Sequence, residues 1–264
     1  MNITLDNNQV YVTTGREAFN PDKPNIVFIH GAGLDHTTWV LFNRFFARNG
    51  FNSIAFDLPG HGKSEGSALA SIEEMASWVV RFLDAANITT TAIVGHSMGS
   101  LVALETASLS PHRFDAVVLL GTGVPMVVGE ELLDAARNND HAAIDMIMLF
   151  GHAYSSQLGG NRVAGINVVN ANMRLLERSL NGVLYNDLNA CNEYSNGLKA
   201  AGKINKPVTL ILGKEDQMTP TGTAKDLINS LTEPEVVILS GCGHMMLSED
   251  PEAVHKCLVK ALHF

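Results

Sequence analysis

The chain has 264 residues, of which 46% are apolar and 17% charged, a balance that suits one sizeable soluble α/β domain. A net charge of -9 argues against a phosphate-backbone partner, so nucleic acid is excluded as the expected ligand. Cys191, Cys242 and Cys257 are odd in number and lack C-x-x-C spacing, which excludes a disulfide framework and a zinc site and predicts a reducing, cytoplasmic setting. Met1–Asp6 has neither a basic start nor a following apolar run, and no later run suits a bilayer span, so no membrane partner is expected.

Residues 2–5 and 9–13 alternate apolar and polar around Asp6-Asn7-Asn8, the pattern of a hairpin at an antiparallel edge. Ile26-Val27-Phe28-Ile29 is a continuous apolar run, as in a strand covered on both faces, and it leads into His30-Gly31-Ala32-Gly33. Leu34-Asp35 stand where a phosphate-binding loop would carry lysine and a hydroxyl, which excludes that motif. Trp39, Phe42, Phe45 and Phe46 then recur at helical spacing over 37–48. A second buried strand, 53–56, precedes the turn-rich Asp57-Leu58-Pro59-Gly60-His61-Gly62-Lys63-Ser64. Ser71-Ile72-Glu73-Glu74 reads as a capping box for a helix whose inner face is Ile72, Met75, Val79, Phe82 and Leu83.

Ala92–Val94 run into Gly95-His96-Ser97-Met98-Gly99, a G-x-S-x-G pentapeptide between an apolar strand and a helix. That setting marks a nucleophile elbow, a tight turn that lifts the serine hydroxyl above the sheet beside the unpaired N–H groups of a helix start. The strand 116–120 follows. Strand and helix alternate to this point, which predicts a doubly wound, mostly parallel sheet whose strand-end loops share one crevice. The rhythm breaks over 124–203, where helical patterns at 129–138, 142–150 and 172–180 predict a helical cap inserted into a core of 1–123 and 204–264. Strands at 208–212 and 236–239 resume the sheet, with helices opened by Pro220 and by Asp250-Pro251.

A serine needs a base and a third group that orients the base, in the chain order Ser, acid, His for this setting. His255 lies within the amphipathic last helix and His263 at the chain end, leaving His244, in the flexible Gly241-Cys242-Gly243-His244 loop after the last strand, as the base. The acid belongs at Gly213-Lys214-Glu215-Asp216, where the residues alone leave both carboxylates open.

These residues resemble the α/β-hydrolase superfamily over nearly the whole chain outside the insertion. His30-Gly31-Ala32-Gly33 with Trp39 is similar to its oxyanion loop, 57–64 to its D-x-P-G-x-G-x-S loop, and Gly213-x-x-Asp216 and Gly-x-Gly-His244 to its acid and histidine turns. The resemblance implies Asp216 as the acid and an oxyanion hole from the backbone N–H groups of Ala32 and Met98, each donor worth on the order of 3 kcal/mol of barrier. It implies a small-molecule ester substrate, attacked by Ser97, with no metal and no organic cofactor. Serine at the elbow speaks against haloalkane dehalogenases and epoxide hydrolases, while lactonase, thioesterase, perhydrolase and carbon–carbon hydrolase chemistry share the triad, as does a slowly turning ligand sensor.

The expected pocket residues are His30, Gly31, Gly33, Met126, Phe150 and Met245. His30 and His36 lie within reach of substrate, although a histidine in such a loop ordinarily shapes it by hydrogen bonding. His61 is expected to stabilise its own loop and His96 to point into the fold. Cys242 lacks an elbow and is not expected to be a nucleophile. Met98, Met218, Met245 and Met246 adjoin the motifs and offer an adaptable apolar surface. Leu, Met, Phe150 and Tyr154 in the insertion predict an apolar, closed pocket for short to medium acyl groups.

Overall fold

The computed structural model describes residues 2–162 and 164–262. Eight strands form one sheet: β1 (Asn2–Leu5), β2 (Asn8–Thr13), β3 (Asn25–Ile29), β4 (Asn52–Phe56), β5 (Thr91–His96), β6 (Phe114–Leu120), β7 (Val208–Gly213) and β8 (Glu235–Leu239). Their order is β1-β2-β4-β3-β5-β6-β7-β8. β1 and β2 make the expected hairpin, with Asp6 and Asn7 at φ 51° and 63°, and β2 joins β4 antiparallel; every later pairing is parallel. The order reverses beside β3 and β5, and the loops that leave those two strands carry His30–Gly33 and Ser97. An open α/β sheet binds its ligand at such a reversal.

Because side chains alternate along a strand, each central strand feeds two cores. Val27, Ile29, Ile93, Val117 and Leu119 face α2 (Ile72–Ala85) and α3 (Met98–Leu109), whereas Ile26, Phe28, Val94, Val118 and Leu120 face α1 (Val40–Arg48) and the last helix. α2 starts at the Ser71 cap, whose hydroxyl accepts from Glu74 N at 3.1 Å. The Glu74 carboxylate returns to Ala70 N at 2.9 Å rather than to Ser71 N, so the reciprocal half of the box is displaced by one residue.

Between β6 and β7 lie α4 (Glu130–Arg137), α5 (Ala142–Gly151), α6 (Tyr154–Gln157), α7 (Val168–Leu176), α8 (Val183–Glu193) and α9 (Gly197–Ala201). The helix expected at 172–180 is α7, which begins earlier because the Asn167 side chain caps it by accepting from Asn170 N at 3.0 Å. Ala200 and Ala201 of α9 are fully buried in the cluster that holds α2 and α3, as are Ala190 and Cys191 of α8. Leu132, Leu133, Ile147, Met148, Leu176 and Leu188 form a separate core, closed underneath by Leu34 and Met245.

After β7 come α10 (Lys225–Ser230), the short α11 (Met246–Glu249) and α12 (Pro251–Ala261), which Asp250 caps by accepting from Ala253 N at 3.0 Å. Among the described residues no helix is long and apolar enough to cross a membrane.

Phe46 on α1 is fully buried between Phe28 and Phe51, while Leu41 on the same helix is 59% exposed. Phe46→Ala is expected to lower stability by about 3–5 kcal/mol and Leu41→Ala by less than about 0.5 kcal/mol. Urea unfolding measures both, and comparable losses for the two would contradict the assigned helix face.

Candidate active site

The turn from β5 into α3 holds Ser97 at φ 55° and ψ -124°, a conformation that costs a non-glycine residue about 1–3 kcal/mol. Packing at its two flanks sets this shape. A Cβ on Gly95 would lie 2.0 Å from Gly99 O, and one on Gly99 would lie 2.4 Å from Ile29 O, so neither position accepts a side chain. Ser97 N donates to Leu120 O at 2.9 Å, which ties the elbow to the end of β6.

His244 follows β8 in the loop the sequence indicates. Its Nδ1 lies 2.8 Å from Asp216 Oδ2, and its carbonyl accepts from His96 Nε2 at 2.8 Å. Asp216 is 4% exposed and also receives Met218 N, Thr219 N and the Thr219 hydroxyl at 2.7–2.8 Å. Burial by itself raises the Asp216 pKa, but the neighbouring His244 charge and these donors outweigh it and hold the carboxyl below its usual range. An ionised Asp216 must receive Nδ1–H, leaving the lone pair of His244 on Nε2, the tautomer a general base needs. Glu215 is exposed, so of the two carboxylates Asp216 is the one that holds the ring.

Ser97 and His244 front one cavity of about 190 Å³, bounded also by Ala32, Met126, Met146, Phe150, Leu188 and Met218. Of the expected pocket residues, Met126 and Phe150 are there; Phe150 keeps 39% of its surface exposed, so the wall borders solvent at that point. His30, Gly31, Gly33 and Met245 are not among its walls. His30 is fully buried with both ring nitrogens engaged, Nδ1 with Gly31 O at 2.9 Å and Nε2 with Leu58 N at 3.1 Å, which leaves no edge for a ligand. Gly33 N is tied to Asp187 at 2.8 Å. Met245 lines a second, larger cavity of about 390 Å³, which also touches His96 but neither Ser97 nor His244. The larger space is therefore not the one beside Ser97.

His36, His61 and His96 have structural partners, and His263 lies outside the described residues. His36 Nδ1 sits 2.8 Å from Asp57 Oδ1, away from the cavity. His61 does more than brace its own loop, because its Nε2 reaches Asp187 Oδ2 on α8 at 2.7 Å. His96 points into the fold as expected; burial, and then the nearby His244, lower its pKa to about 3. The ligand atoms of Asp35, His36 and Asp57 lie within 4.8 Å of one another, but each is spent on a protein partner: Asp35 caps Thr37 and pairs with Arg178, and Asp57 receives His36 and Lys63. Cys242 is fully buried, which pushes its thiol up to about 12 and removes it as a nucleophile.

Among the buried carboxylates that the sequence did not reveal, two bear on the site. Glu249 accepts from Gly243 N at 2.7 Å and Ala153 N at 2.8 Å, stitching the His244 loop to the chain after α5. Asp187 occupies the buried stripe of α8 with Val183 and Cys191, a spacing of four that placed a carboxylate on an apolar helix face and was the available signal.

The sequence profile of the alpha/beta hydrolase fold matches residues 24–251. The chain belongs to that family. The hydrolase is similar to a 2-hydroxy-6-oxononadienedioate/2-hydroxy-6-oxononatrienedioate hydrolase of Cupriavidus pinatubonensis, 28% identical over 254 residues that cover 90% of this chain and 86% of that one. A solved thermophilic esterase superposes with a TM-score of 0.83 at 26% identity, covering 100% of this chain and 96% of the other. Similarity extends to the dihydrolipoyllysine-residue acetyltransferase components of acetoin cleaving systems from Cupriavidus necator (41% over 96 residues, 36% of this chain) and Pseudomonas putida (25% over 249 residues, 90% of this chain). The chain spans only 25% and 63% of their lengths.

The low values of His96, about 3, and His30, about 4, lie below the ordinary 6.5, so between those limits the unfolded chain binds more protons than the folded one. Stability should therefore fall as pH drops from about 6.5 toward 4, and the lowered Asp216 adds to the loss at the acid end of that range. His61, raised despite its burial because Asp187 faces it, acts in the opposite sense: its contribution is complete below 6.5 and fades above. Thermal melts across this range test the balance; His96→Gln should flatten the acid limb, and an unchanged slope would remove His96 from the account.

Asp216→Asn should lower ester turnover by about 10³–10⁴-fold by presenting the wrong tautomer of His244, whereas Glu215→Gln should change it by less than about twofold. Steady-state rates on an activated ester compare them, and a larger loss in Glu215→Gln would move the acid to that residue.

Proposed function

We propose that this hydrolase is a serine esterase for small to medium, largely apolar carboxylic esters. The observation that carries the reading is the shared cavity: a strained elbow serine and an aspartate-held histidine open onto one apolar space of about 190 Å³. In this scheme Ser97 Oγ attacks the ester carbonyl while His244 Nε2 takes its proton. Asp216 stabilises the imidazolium that forms, and His244 then returns the proton to the departing alcohol. The N–H groups of Ala32, at the cavity wall, and of Met98, the first residue of α3, receive the oxyanion. Water, activated by His244 in turn, releases the acid from Ser97. Each of these steps uses groups of this chain alone. Three cysteines without disulfide partners fit the cytoplasmic setting we propose with it.

The name of the Cupriavidus pinatubonensis relative favours a second reading, a carbon–carbon bond hydrolase for a dicarboxylate. Against it, the residues around the cavity include Glu131 and neither lysine nor arginine. The nearest arginine-bearing cavity holds Arg174 and Arg178, and these are committed to Glu177 and Asp35. An apolar neutral ester meets no comparable mismatch.

A fluorophosphonate should label the protein at Ser97 by peptide mapping, and Ser97→Ala should abolish labelling and lower ester hydrolysis by several orders of magnitude, about 10⁶-fold by analogy with other triads. On p-nitrophenyl esters, kcat/KM should peak at short to medium acyl chains, since each methylene contributes up to about 0.8 kcal/mol only while there is room to bury it. A steady rise through palmitate below micellar concentrations would replace the confined pocket with a lipid-binding one.

A further inference from the structure

We infer that Asp187 and His61 form a buried charged latch that positions the oxyanion loop from above, making these two residues positioning residues for the esterase reading on which the inference rests. Asp187 lies on α8 of the insertion and is fully buried. Its Oδ2 accepts both Gly33 N at 2.8 Å and the His61 ring at 2.7 Å. Three segments distant in sequence thus meet at one carboxylate oxygen: the loop after β3, the loop after β4 and an insertion helix.

The hydrogen bonds set the charge of the pair. His61 Nδ1 faces Pro59 O at 3.0 Å, an oxygen that can only accept, and Nε2 faces a carboxylate. With Asp187 ionised, both nitrogens must donate, so the ring is an imidazolium. His30, whose ring centre is 4.8 Å from that of His61, has the opposite pattern, because Leu58 N donates to its Nε2 and the ring must be neutral. The groups facing His61 are therefore a neutral His30, Asp187 on α8 and Asp57 at the start of its own loop. Against the cost of burial, Asp187 keeps the His61 pKa above its ordinary value, in agreement with the geometry.

Hydrogen bonds hold both peptide planes that flank Ala32, and the latch supplies the second of them. In a trans peptide the N–H points opposite to the C=O. Gly31 O accepts from His30 Nδ1 at 2.9 Å and from Leu34 N at 3.2 Å, which turns the Ala32 N–H to the other side of that plane. The next plane is held through its Gly33 N–H by Asp187. Rotation of the first plane would swing the Ala32 donor away from the oxyanion, and release of the second would free the Ala32 Cα on which the first is hinged; a donor misplaced by about 1 Å costs about 10²-fold in rate. An insertion helix thus supplies half of the restraint on a catalytic donor located in the core.

The test uses the full-length chain, with kcat and KM for a p-nitrophenyl ester taken per site titrated by fluorophosphonate. Asp187→Asn should lower kcat by about 10- to 100-fold while KM stays within about threefold, and should weaken a boronic acid that mimics the tetrahedral intermediate by a similar factor to kcat. His61→Gln should do the same, and the double variant should be no worse than either single one, the mark of a shared contact. A wild type that fluorophosphonate does not label overturns the esterase reading itself. A labelled wild type whose Asp187→Asn keeps kcat and boronate affinity within about twofold overturns the positioning role alone. Should the variants fail to fold, the ¹⁵N signals of His61 in the wild type decide the matter: two protonated nitrogens at pH 7 support the latch, and a neutral ring overturns it.

Discussion

The close approach of backbone to backbone at Gly95 and Gly99 is the constraint on which the site depends. With a Cβ absent at both positions, β5 can turn into α3 within one residue, and that residue is forced to positive φ. Its strain is held by the surroundings: Leu120 O fixes Ser97 N, and Ser97 O receives both the amide and the hydroxyl of Ser100. Gly99 also rests directly against the carbonyls of Ile29 and His30, so the contact that shapes the nucleophile turn equally fixes where the oxyanion loop leaves β3. One steric requirement thereby sets the spacing between Ser97 and the loop that carries Ala32.

The insertion is joined to the core by polar groups at buried positions as well as by apolar packing. Asp187 receives the oxyanion loop, Glu249 joins the His244 loop to Ala153, and Asn172 on α7 donates to both His152 and Ser248. Such groups are costly to bury unpaired, and here the principal acceptors of both carboxylates are filled by backbone or ring donors. Removing the insertion would take away the acceptor of Gly33 N and leave Glu249 without its Ala153 donor. The helices above the cavity therefore act as part of the site's scaffold and not as an independent cover.

Much of this was legible in the chain. Apolar runs gave the central strands, and turn chemistry placed Asp216 and His244 after β7 and β8, because a motif at a strand's carboxyl end carries its geometry with it. The choice between Glu215 and Asp216 needed family resemblance, since both are compatible with the turn and only the direction of the side chain separates them. Glu249 was not found because its partners are backbone N–H groups, at Gly243 and Ala153, which leave no mark in residue type, and Asp187 because Gly33 N and the His61 ring are both remote in sequence. His61 was assigned to its own loop because its partner is 126 residues away. Of the six expected pocket residues Met126 and Phe150 line the cavity, while His30, Gly31, Gly33 and Met245 do not, because nearness in sequence to a motif says nothing about which side of the loop a side chain takes.

The buried histidines show how one residue type fills opposite electrostatic roles through its partners alone. His30 accepts from a backbone N–H and is neutral; His61, beside it, faces two acceptors and carries charge. His96 donates to His244 O through Nε2 while its Nδ1 has no partner, so protonation there would bury a charge without an acceptor. That neutrality matters to the base. The ring of His96 lies 5.0 Å from that of His244, and a second positive charge at that distance would oppose formation of the His244 imidazolium. The fold thus places an uncharged histidine next to His244 and sets His61, whose nitrogens face two acceptors, against Asp187.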